Sequence, residues 1–269
     1  MRANCGYGAL CMQIKMNVPG NDAMKTIGLI GGMSWESTAT YYRYINEAVR
    51  NELGGLASAG VILNSLDFSS VVALQKADRW EEAGVLLGSA GAGLARAGAD
   101  CVLICTNTMH LVADKVARMS GVPLIDIIDE TAAALVADGR KRPLLLATRY
   151  TMEHGFYSNR MAAHEIDVVV PDAGDRLAVH EIIFNELCQG VVREESRASL
   201  HRIIAKSAAS GADSVILGCT EIQLLIDANE LALPGYDSTA IHADAAVRFA
   251  LSEWNGRAVT RTVAKVRQG

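Results

Sequence analysis

The sequence lacks the features that mark several specialised classes of protein. It contains no uninterrupted apolar run of about 18 residues, the length that a membrane-spanning helix requires. Its 25 Lys and Arg residues against 30 Asp and Glu residues give a formal net charge of −5, and no basic block stands out. We therefore expect neither a membrane nor a nucleic-acid partner.

The sequence also lacks the patterns of metal, redox and nucleotide sites. Six cysteines in 269 residues do not resemble the disulfide framework of a secreted domain. No C-x-x-C pair occurs, which argues against a zinc ribbon or a thioredoxin-type site. Neither a G-x-G-x-x-G nor a Walker pattern accompanies Gly31-Gly32, so no nucleotide site is indicated. We expect reduced thiols, a cytoplasmic protein and no metal ion.

The two ends of the chain are expected to lie outside the folded body. Residues 1–23 lack the cationic start and apolar segment of a signal peptide, and they show no clear periodicity. We predict that they form a loosely ordered extension and that the folded body begins at Met24. Residues 256–269 are predicted to form a C-terminal tail.

Short apolar runs alternate with longer helix-like segments along the rest of the chain. This alternation is typical of βα units and predicts parallel sheets flanked by helices. The helix-like segments at 81–98 and 195–211 each end in glycine, as helices often do. The eight predicted strands cover residues 26–30, 60–63, 100–104, 122–125, 143–147, 167–170, 213–217 and 232–236.

Two parts of the chain resemble each other at a nearly constant spacing. Residues 98–106 read GADCVLICT and residues 211–219 read GADSVILGC, an offset of 113. Residues 34–36 match 151–153 at an offset of 117, and residues 123–126 match 234–237 at an offset of 111. Three matches in the same order indicate an internal duplication.

The duplication predicts two similar α/β domains, each a parallel sheet flanked by helices, related by a pseudo-two-fold axis. The first domain would comprise residues 24–121 with about 238–255, and the second would comprise residues 122–237. Ligands bind α/β sheets outside the carboxyl ends of the strands. Equivalent strand ends should therefore approach a shared cleft between the domains.

The loops at these strand ends have the residue types of a catalytic site. We name residues 106–110 (TNTMH) the first tip and residues 219–221 (CTE) the second tip. Both combine small hydrogen-bonding side chains with the start of a helix, where free N–H groups and the helix dipole favour a carboxylate. The same corner should shift the thiol of Cys219 toward thiolate, the form that acts as a base or nucleophile.

The two tips carry a resemblance to a known family. The first tip resembles the Cys-Asn-Thr-x-His motif of cofactor-independent aspartate/glutamate racemases, and residues 218–221 (GCTE) resemble their second motif. Residues 27–34 (IGLIGGMS) are similar to the family's opening strand and loop. The resemblance implies two α/β domains with the active site between them, often in a homodimer. It also implies that no pyridoxal phosphate, metal or nucleotide is needed.

The resemblance further implies an activity and a set of site residues. The activity is racemisation of an amino acid, with aspartate and glutamate as the leading substrates, by proton exchange between two groups on opposite faces of Cα. Thr106 and Cys219 would be the catalytic pair, while His110 is expected to be structural. The predicted substrate-binding residues are Met33, Ser34, Asn107, Thr108, Thr148, Thr220 and Arg176.

The sequence departs from the family pattern in two places. Thr106 stands where the family has its first catalytic cysteine, and Cys105 is not a substitute because strand alternation turns its side chain away. Residues 64–68 lack the arginine that grips the side-chain carboxylate of the substrate. The Thr/Cys pair resembles a branch that prefers L-aspartate or L-glutamate, so we expect faster turnover from L- than from D-substrates.

Three other functions remain open at this point. The first is a racemase of broad amino-acid specificity. The second is a decarboxylase of substituted malonates or an isomerase of unsaturated diacids, because same-fold enzymes of this kind have one catalytic cysteine. The third is a binding protein that senses an amino acid without converting it, which ligand-induced stabilisation without turnover would reveal.

Overall fold

The fold consists of two parallel β-sheets flanked by α-helices. The computed structural model describes residues 24–252, so the predicted extension at 1–23 and the predicted tail at 256–269 lie outside the described residues. This arrangement confirms the predicted α/β class. The strands within the described range are β1 (Ile27–Gly31), β2 (Val61–Ser65), β3 (Cys101–Ile104), β4 (Leu124–Ile125), β5 (Pro143–Leu146), β6 (Ser214–Leu217) and β7 (Gly235–Asp237).

Equivalent strands occupy equivalent places in the two sheets. The first sheet has the order β2-β1-β3-β4 and the second has the order β5-β6-β7, and all neighbours are parallel. The predicted strand at 167–170 forms only an isolated bridge, between Val169 and Leu144 of β5. This bridge lies beside β5 as β2 lies beside β1, so the two halves share one strand order, as a duplication requires.

The first sheet extends beyond the boundary that the sequence predicted. Strand β4 pairs with β3 through Val102 with Leu124 and Leu103 with Ile125, whereas the second domain was predicted to begin at residue 122. The boundary is corrected to a position after β4. Gly121, in the left-handed region at φ 73°, turns the chain back onto the edge of the first sheet instead of leading it away.

Helices cover both sheets, and the last helix returns to the first half. Ala243, Ala246 and Ala250 of that helix pack with Ile27 and Leu103, where the sequence also placed residues 238–255. The helices within the described range are α1 (Trp35–Leu53), α2 (Phe68–Lys76), α3 (Trp80–Arg96), α4 (Ala113–Ser120), α5 (Ile127–Ala137), α6 (Arg149–Glu153), α7 (Phe156–Ala162), α8 (Ala173–Glu181), α9 (Glu194–Ala209) and α10 (Ser238–Leu251).

The two faces of the first sheet carry separate hydrophobic clusters. Leu103 and Cys105 belong to the cluster on one face, and Val102 and Ile104 belong to the cluster on the other. Because side chains alternate across a strand, Cys105 enters the core, and the next side chain, that of Thr106, takes the other direction. The prediction that Cys105 turns away from the tip is confirmed: it is fully buried, and burial raises the pKa of its thiol.

Neither a membrane-spanning helix nor a metal cluster is found among residues 24–252. No helix in that range combines the length and the apolar character that crossing a bilayer requires. Over the same residues, no group of three or more His, Cys, Asp or Glu side chains is placed to hold a metal ion.

Candidate active site

The first and second tips meet at one cavity between the two sheets. Thr106 and Cys219 each follow the carboxyl end of a buried parallel strand, β3 and β6, which is where α/β sheets bind their ligands. Seven of the nine residues that the sequence assigned to the site line this cavity: Met33, Thr106, Asn107, Thr108, Thr148, Cys219 and Thr220.

The other two assigned residues have different positions. Ser34 is joined to the site through Glu221, a lining residue, to which its Oγ donates at 2.9 Å. Arg176 does not line the cavity: its Nε donates to Glu153 Oε1 at 3.0 Å, and its Nη1 donates to the Pro171 carbonyl at 2.8 Å. The guanidinium of Arg176 is thus bound within its own half and does not reach the cavity where the sequence expected it.

Glu221 lies at the centre of a hydrogen-bond network behind Cys219. The Cys219 thiol donates to Glu221 Oε2, with Sγ and Oε2 2.9 Å apart. Glu221 Oε1 accepts from Ser34 Oγ at 2.9 Å and from Ser37 Oγ at 2.8 Å. Ser34 is the N-cap of α1, and its Oγ accepts from the Ser37 N–H, which fixes both serines. A carboxyl group of the second half is thus held by the first helix of the first half.

The surroundings of Cys219 raise the pKa of its thiol well above the ordinary value. Burial is the largest cause, and the charge of Glu221 adds to it. This direction is opposite to the predicted shift toward thiolate. That prediction relied on a helix dipole, but only a short 3₁₀ helix (Thr220–Leu224) follows Cys219, and its dipole is weaker than burial plus a carboxylate in contact. In the free protein, Cys219 is a thiol that donates to Glu221.

Thr108 occupies the place in the first tip that Glu221 occupies in the second, at the offset of 113. Its Oγ1 lies 2.9 Å from Thr148 Oγ1 and 3.0 Å from Thr151 Oγ1. Thr148 is the N-cap of α6 and accepts from the Thr151 N–H. The contact repeats that of α1 with Glu221, but a hydroxyl stands in place of the carboxyl.

These paired contacts correct the register of the internal repeat. The N-caps show that Ser34 corresponds to Thr148, an offset of 114, whereas the sequence matched residues 34–36 with 151–153 at an offset of 117. Ile27 and Pro143 pair with equivalent residues of β3 and β6, so the strands correspond at an offset of 116. The loop before α1 is therefore two residues longer than the loop before α6, so no single offset aligns both the strands and the helix caps.

Asn107 joins the first tip to α10 and retains an unused acceptor. Its Nδ2 donates to Ser238 Oγ at 3.1 Å, and that Oγ donates to the Leu217 carbonyl at 2.8 Å. Since the Ser238 proton is already used, the amide must turn its Nδ2 toward Ser238. Asn107 Oδ1 is then buried without a hydrogen-bond partner among the described residues, which costs about 1–3 kcal/mol. A bound ligand could supply the missing donor.

His110 supports the first tip from behind the cavity. The Ile127 N–H donates to its Nε2 at 3.2 Å, so its Nδ1 carries the proton and donates to the Thr106 carbonyl at 2.8 Å. Burial lowers the pKa of His110 and keeps the ring neutral. This geometry supports the structural role that the sequence favoured.

Part of the cavity is formed by residues that the sequence did not assign to it. Two of them had a local signal: Glu221 follows the cysteine by two residues, and Ser37 has the spacing of an N-cap partner to Ser34. The rest come from α2, the first tip, the residue before the second tip, and the two helical turns at Ile182–Glu186 and Leu187–Gln189, and only tertiary packing brings them together. The additional lining residues are Ser37, Phe68, Gln75, Met109, Ile183, Phe184, Cys188, Gly218 and Glu221.

Solved structures of other proteins share this fold over most of the chain. A candidate Asp/Glu racemase from Yersinia pestis is 49% identical, with a TM-score of 0.80 over 85% of this chain and 100% of that chain. An aspartate racemase homologue from Pyrococcus horikoshii is 34% identical, with a TM-score of 0.75 over 84% of this chain and 99% of that chain.

Sequence comparison gives the same family. The broad specificity amino-acid racemase RacX of Bacillus subtilis is 23% identical over 154 residues, which are 57% of this chain and 66% of that protein. The chain thus spans slightly less than two thirds of the length of this curated relative. Residues 30–246 match the family model described as Asp/Glu/Hydantoin racemase. Since that match covers most of the chain, the protein belongs to the Asp/Glu/hydantoin racemase family.

Proposed function

We propose that the protein is a cofactor-independent amino-acid racemase in which Cys219 and Thr106 exchange the Cα proton of the substrate. The observation that carries the proposal is their placement at equivalent strand tips, with both side chains lining one cavity. A thiol and a hydroxyl on opposite faces of a bound amino acid can remove a proton from one face and return one to the other. Aspartate and glutamate are the first candidate substrates, and a wider range of amino acids is the second.

The substrate is held by its two common groups, the α-carboxylate and the α-ammonium. The hydroxyls of Thr108 and Thr220 bind the α-carboxylate, together with the N–H groups at the start of the 3₁₀ helices Thr108–Val112 and Thr220–Leu224. These groups also stabilise the charge that spreads onto the carboxylate when Cα loses its proton. Asn107 donates one of its two Nδ2 hydrogens to Ser238. Its unpartnered Oδ1 accepts from the α-ammonium.

Glu221 makes Cys219 a base at the moment of reaction. The thiol cannot take a proton from Cα until it has lost its own, and Glu221 Oε2, 2.9 Å away, is the acceptor. The α-ammonium of the substrate adds a positive charge to the site and favours the resulting thiolate. Ser34 and Ser37 keep the carboxyl group in position during this transfer.

Thr106 completes the reaction from the opposite face. The Cys219 thiolate removes the Cα proton of the L-enantiomer, and Thr106, or a water molecule that it orients, delivers a proton to the other face. The thiol is thereby restored, and the proton held by Glu221 replaces the one lost by Thr106 through solvent. A threonine hydroxyl is a very weak acid, so the reverse abstraction from the D-enantiomer is slow.

We also propose that the protein forms a homodimer. Trp35 and Tyr42 of α1 lie seven residues apart, which places them on one helix face, and their side chains are 68% and 56% exposed. Large exposed apolar side chains on one face commonly mark an interface between proteins. Light scattering should give twice the mass of the chain, and Trp35→Lys should lower it; a monomeric wild type would contradict this proposal.

Exchange of the Cα proton with solvent deuterium tests the racemase directly. Each of several L-amino acids is incubated with the protein in D₂O, and NMR follows loss of the Cα–H signal while chiral chromatography follows the D-enantiomer. We expect deuterium incorporation with inversion for at least one substrate, and none with Cys219→Ala. A folded wild type that exchanges no amino acid would overturn the proposal, and release of carbon dioxide from a substituted malonate would assign a decarboxylase instead.

A further inference from the structure

The described lining of the cavity contains one acidic side chain and no basic side chain. Among the described residues that line it, Glu221 is the one charged side chain, and no Lys, Arg or His is present. Glu221 is itself 7% exposed and already accepts three hydrogen bonds. A second carboxylate on the substrate would enter a site that already holds one buried carboxyl group and offers no cationic side chain to pair with it.

Arginines close to the site have partners elsewhere. The Arg176 guanidinium pairs with Glu153 Oε1 and the Pro171 carbonyl. The Arg149 guanidinium lies over the ring of Tyr150, with its Cζ 5.6 Å from the ring centroid. The stretch after β2, residues 66–68, contributes the apolar Phe68 to the lining and no cationic side chain.

Outside the tips, the cavity lining includes four apolar side chains, with Ser37, Gln75 and Cys188 beside them. We name Met33, Phe68, Ile183 and Phe184 the apolar wall. Met33 is 4% exposed and Ile183 is 1% exposed. The ring of Phe184 is held against that of His180, with 4.7 Å between the ring centroids. Side chains of this kind bind an apolar or neutral side chain by contact and cannot replace the water around a carboxylate.

From these three observations we infer that the enzyme acts on amino acids with uncharged side chains and selects against aspartate and glutamate. The inference rests on the proposed racemase activity and reverses the order of its candidate substrates, because it puts the uncharged amino acids of the wider range before aspartate and glutamate. The tips bind the α-carboxylate and α-ammonium that all amino acids share, and the apolar wall receives the side chain. Selection arises mainly because a second carboxylate would lose its water without gaining a cation.

Pairs of substrates with equal shape and different charge test this inference. Glutamine with glutamate and asparagine with aspartate differ chiefly by an amide in place of a carboxylate, and methionine adds a long uncharged side chain. Deuterium incorporation at Cα gives kcat/KM for each. We expect at least about a tenfold preference for the uncharged member of each pair, as is typical when a buried polar group is left unpaired.

A cation placed in the apolar wall should reverse the preference. Phe68 is the first residue of α2, and the neighbouring Asp67 carboxylate is already bound by Ser69 and Ser70, so an arginine at this position is free to face the cavity. Phe68→Arg should raise the ratio of kcat/KM for glutamate over glutamine by about tenfold or more. Phe68→Met, the matched control, should leave that ratio close to the wild-type value.

The outcomes separate this inference from the proposed function. Exchange with aspartate or glutamate at rates equal to or above their amides would overturn the inference and leave the racemase in place. Exchange with no amino acid at all would overturn both. If circular dichroism shows that Phe68→Arg does not fold, the wild-type comparison of each pair decides alone, while a folded Phe68→Arg with an unchanged ratio would contradict the role of the apolar wall.

Discussion

The two tips have the same architecture and different proton chemistry. Each follows a buried parallel strand, and in each the third residue is held by two hydroxyls, three residues apart, at the capped start of a helix in the opposite half. The second tip carries the thiol of Cys219 and the carboxyl of Glu221. The first tip carries hydroxyls at both equivalent positions, Thr106 and Thr108.

The difference teaches that geometry and reactivity are set by separate residues. The capping hydroxyls and strand ends fix where a side chain stands, and they do so equally well for a carboxyl and for a hydroxyl. In the proposed mechanism, the side chains that each tip carries then decide which face of the substrate can lose a proton. The second tip supplies a base, Cys219, and a group that activates it, Glu221, while the first tip supplies hydroxyls that can deliver a proton but are poorly suited to remove one.

Removing the thiol of the second tip should have the largest effect. Cys219→Ala leaves no group that can take the Cα proton of an L-substrate, so both directions should fall by about 10²–10⁴-fold. Cys105→Ala is the matched control, because that thiol is buried in the core and should cost about 1 kcal/mol of stability and little activity. Initial rates and urea denaturation measure the two effects; a folded but inactive Cys105→Ala would contradict the assignment.

Glu221→Gln should separate thiol reactivity from catalysis. The new amide keeps hydrogen-bonding groups for the serines of α1 but cannot take the proton of Cys219, so turnover should fall about 100-fold. Loss of the carboxylate also removes a cause of the raised thiol pKa, so alkylation of Cys219 by iodoacetamide at about pH 7.5 should become faster. Unchanged turnover, or slower alkylation in the folded variant, would show that Glu221 does not control the thiol.

In the wild type, the raised pKa of Cys219 also predicts the direction of the pH dependence. The thiolate is populated only as the pH approaches this raised pKa, so alkylation of the free protein should accelerate throughout the range from about pH 7 to 9. A plateau already reached at the lower end of that range would mean that the thiol pKa is lowered, as the sequence alone had suggested.

Giving the first tip the thiol and carboxyl of the second should raise turnover from the D-enantiomer, by a smaller factor than the losses above. Thr106→Cys supplies a thiol but no activating carboxyl, so turnover from the D-enantiomer should rise only a few fold. Adding Thr108→Glu places a carboxyl where Thr148 and Thr151 can donate to it, as Ser34 and Ser37 donate to Glu221, and should raise D-turnover by about tenfold more. Thr108→Gln in the same background is the control, and equal gains from Glu and Gln would contradict the comparison.

The smallest effect concerns how the first tip is supported. His242 donates from Nε2 to the Ile125 carbonyl and accepts at Nδ1 from the Tyr41 hydroxyl, both at 2.8 Å. Its ring lies 5.7 Å from that of His110. In the second half, Gln223, two residues beyond the second tip, stands at the position equivalent to His110. Burial lowers the pKa of His242 to about 3, and the pKa of His110 is lowered in the same direction.

This support should weaken in acid. The unfolded chain binds a proton at His242 near about pH 6.5, while the folded protein binds it only near pH 3, so the free energy of unfolding is highest above the unfolded value and falls below it. Protonation of His242 in the unfolded chain should by itself lower the free energy of unfolding by about 2 kcal/mol between about pH 7.5 and pH 5. Urea denaturation at both pH values should show a smaller loss in His242→Gln; an equal loss in both proteins would contradict this role.

Sequence reasoning could predict what depends on local pattern. The strand positions, the duplication and the two tips follow from apolar runs and from a repeated segment, and residues 98–106 and 211–219 lie at equivalent strands. The sequence assigned the edge strand β4 to the second domain, although it joins the first sheet. A strand of two residues is too short for its hydrophobic pattern to show which sheet it joins. The sequence did not give the correspondence between the helix caps of the two halves. The loops before α1 and α6 differ in length by two residues, and that difference can be found only when the ends of the preceding strands are known.

The chemistry of the site could be predicted only in part. That Thr106 and Cys219 line the cavity follows from their places at the ends of two strands. The direction of the Cys219 pKa shift depends instead on burial and on contact with Glu221, and both are set by tertiary structure. The pairing of Arg176 with Glu153 and the formation of the apolar wall are contacts between distant segments. Such contacts leave no periodic trace in the sequence.

Initial rates from the two enantiomers of one exchanged substrate test the central claim most directly. Free L- and D-enantiomers have equal free energy, so kcat/KM must be equal in both directions and any difference in kcat must be matched in KM. We predict that kcat from the L-enantiomer exceeds kcat from the D-enantiomer by about tenfold or more, because Cys219 and Glu221 serve one face and hydroxyls serve the other. Equal kcat values from both enantiomers would contradict the assignment of a base at the second tip and a proton donor at the first.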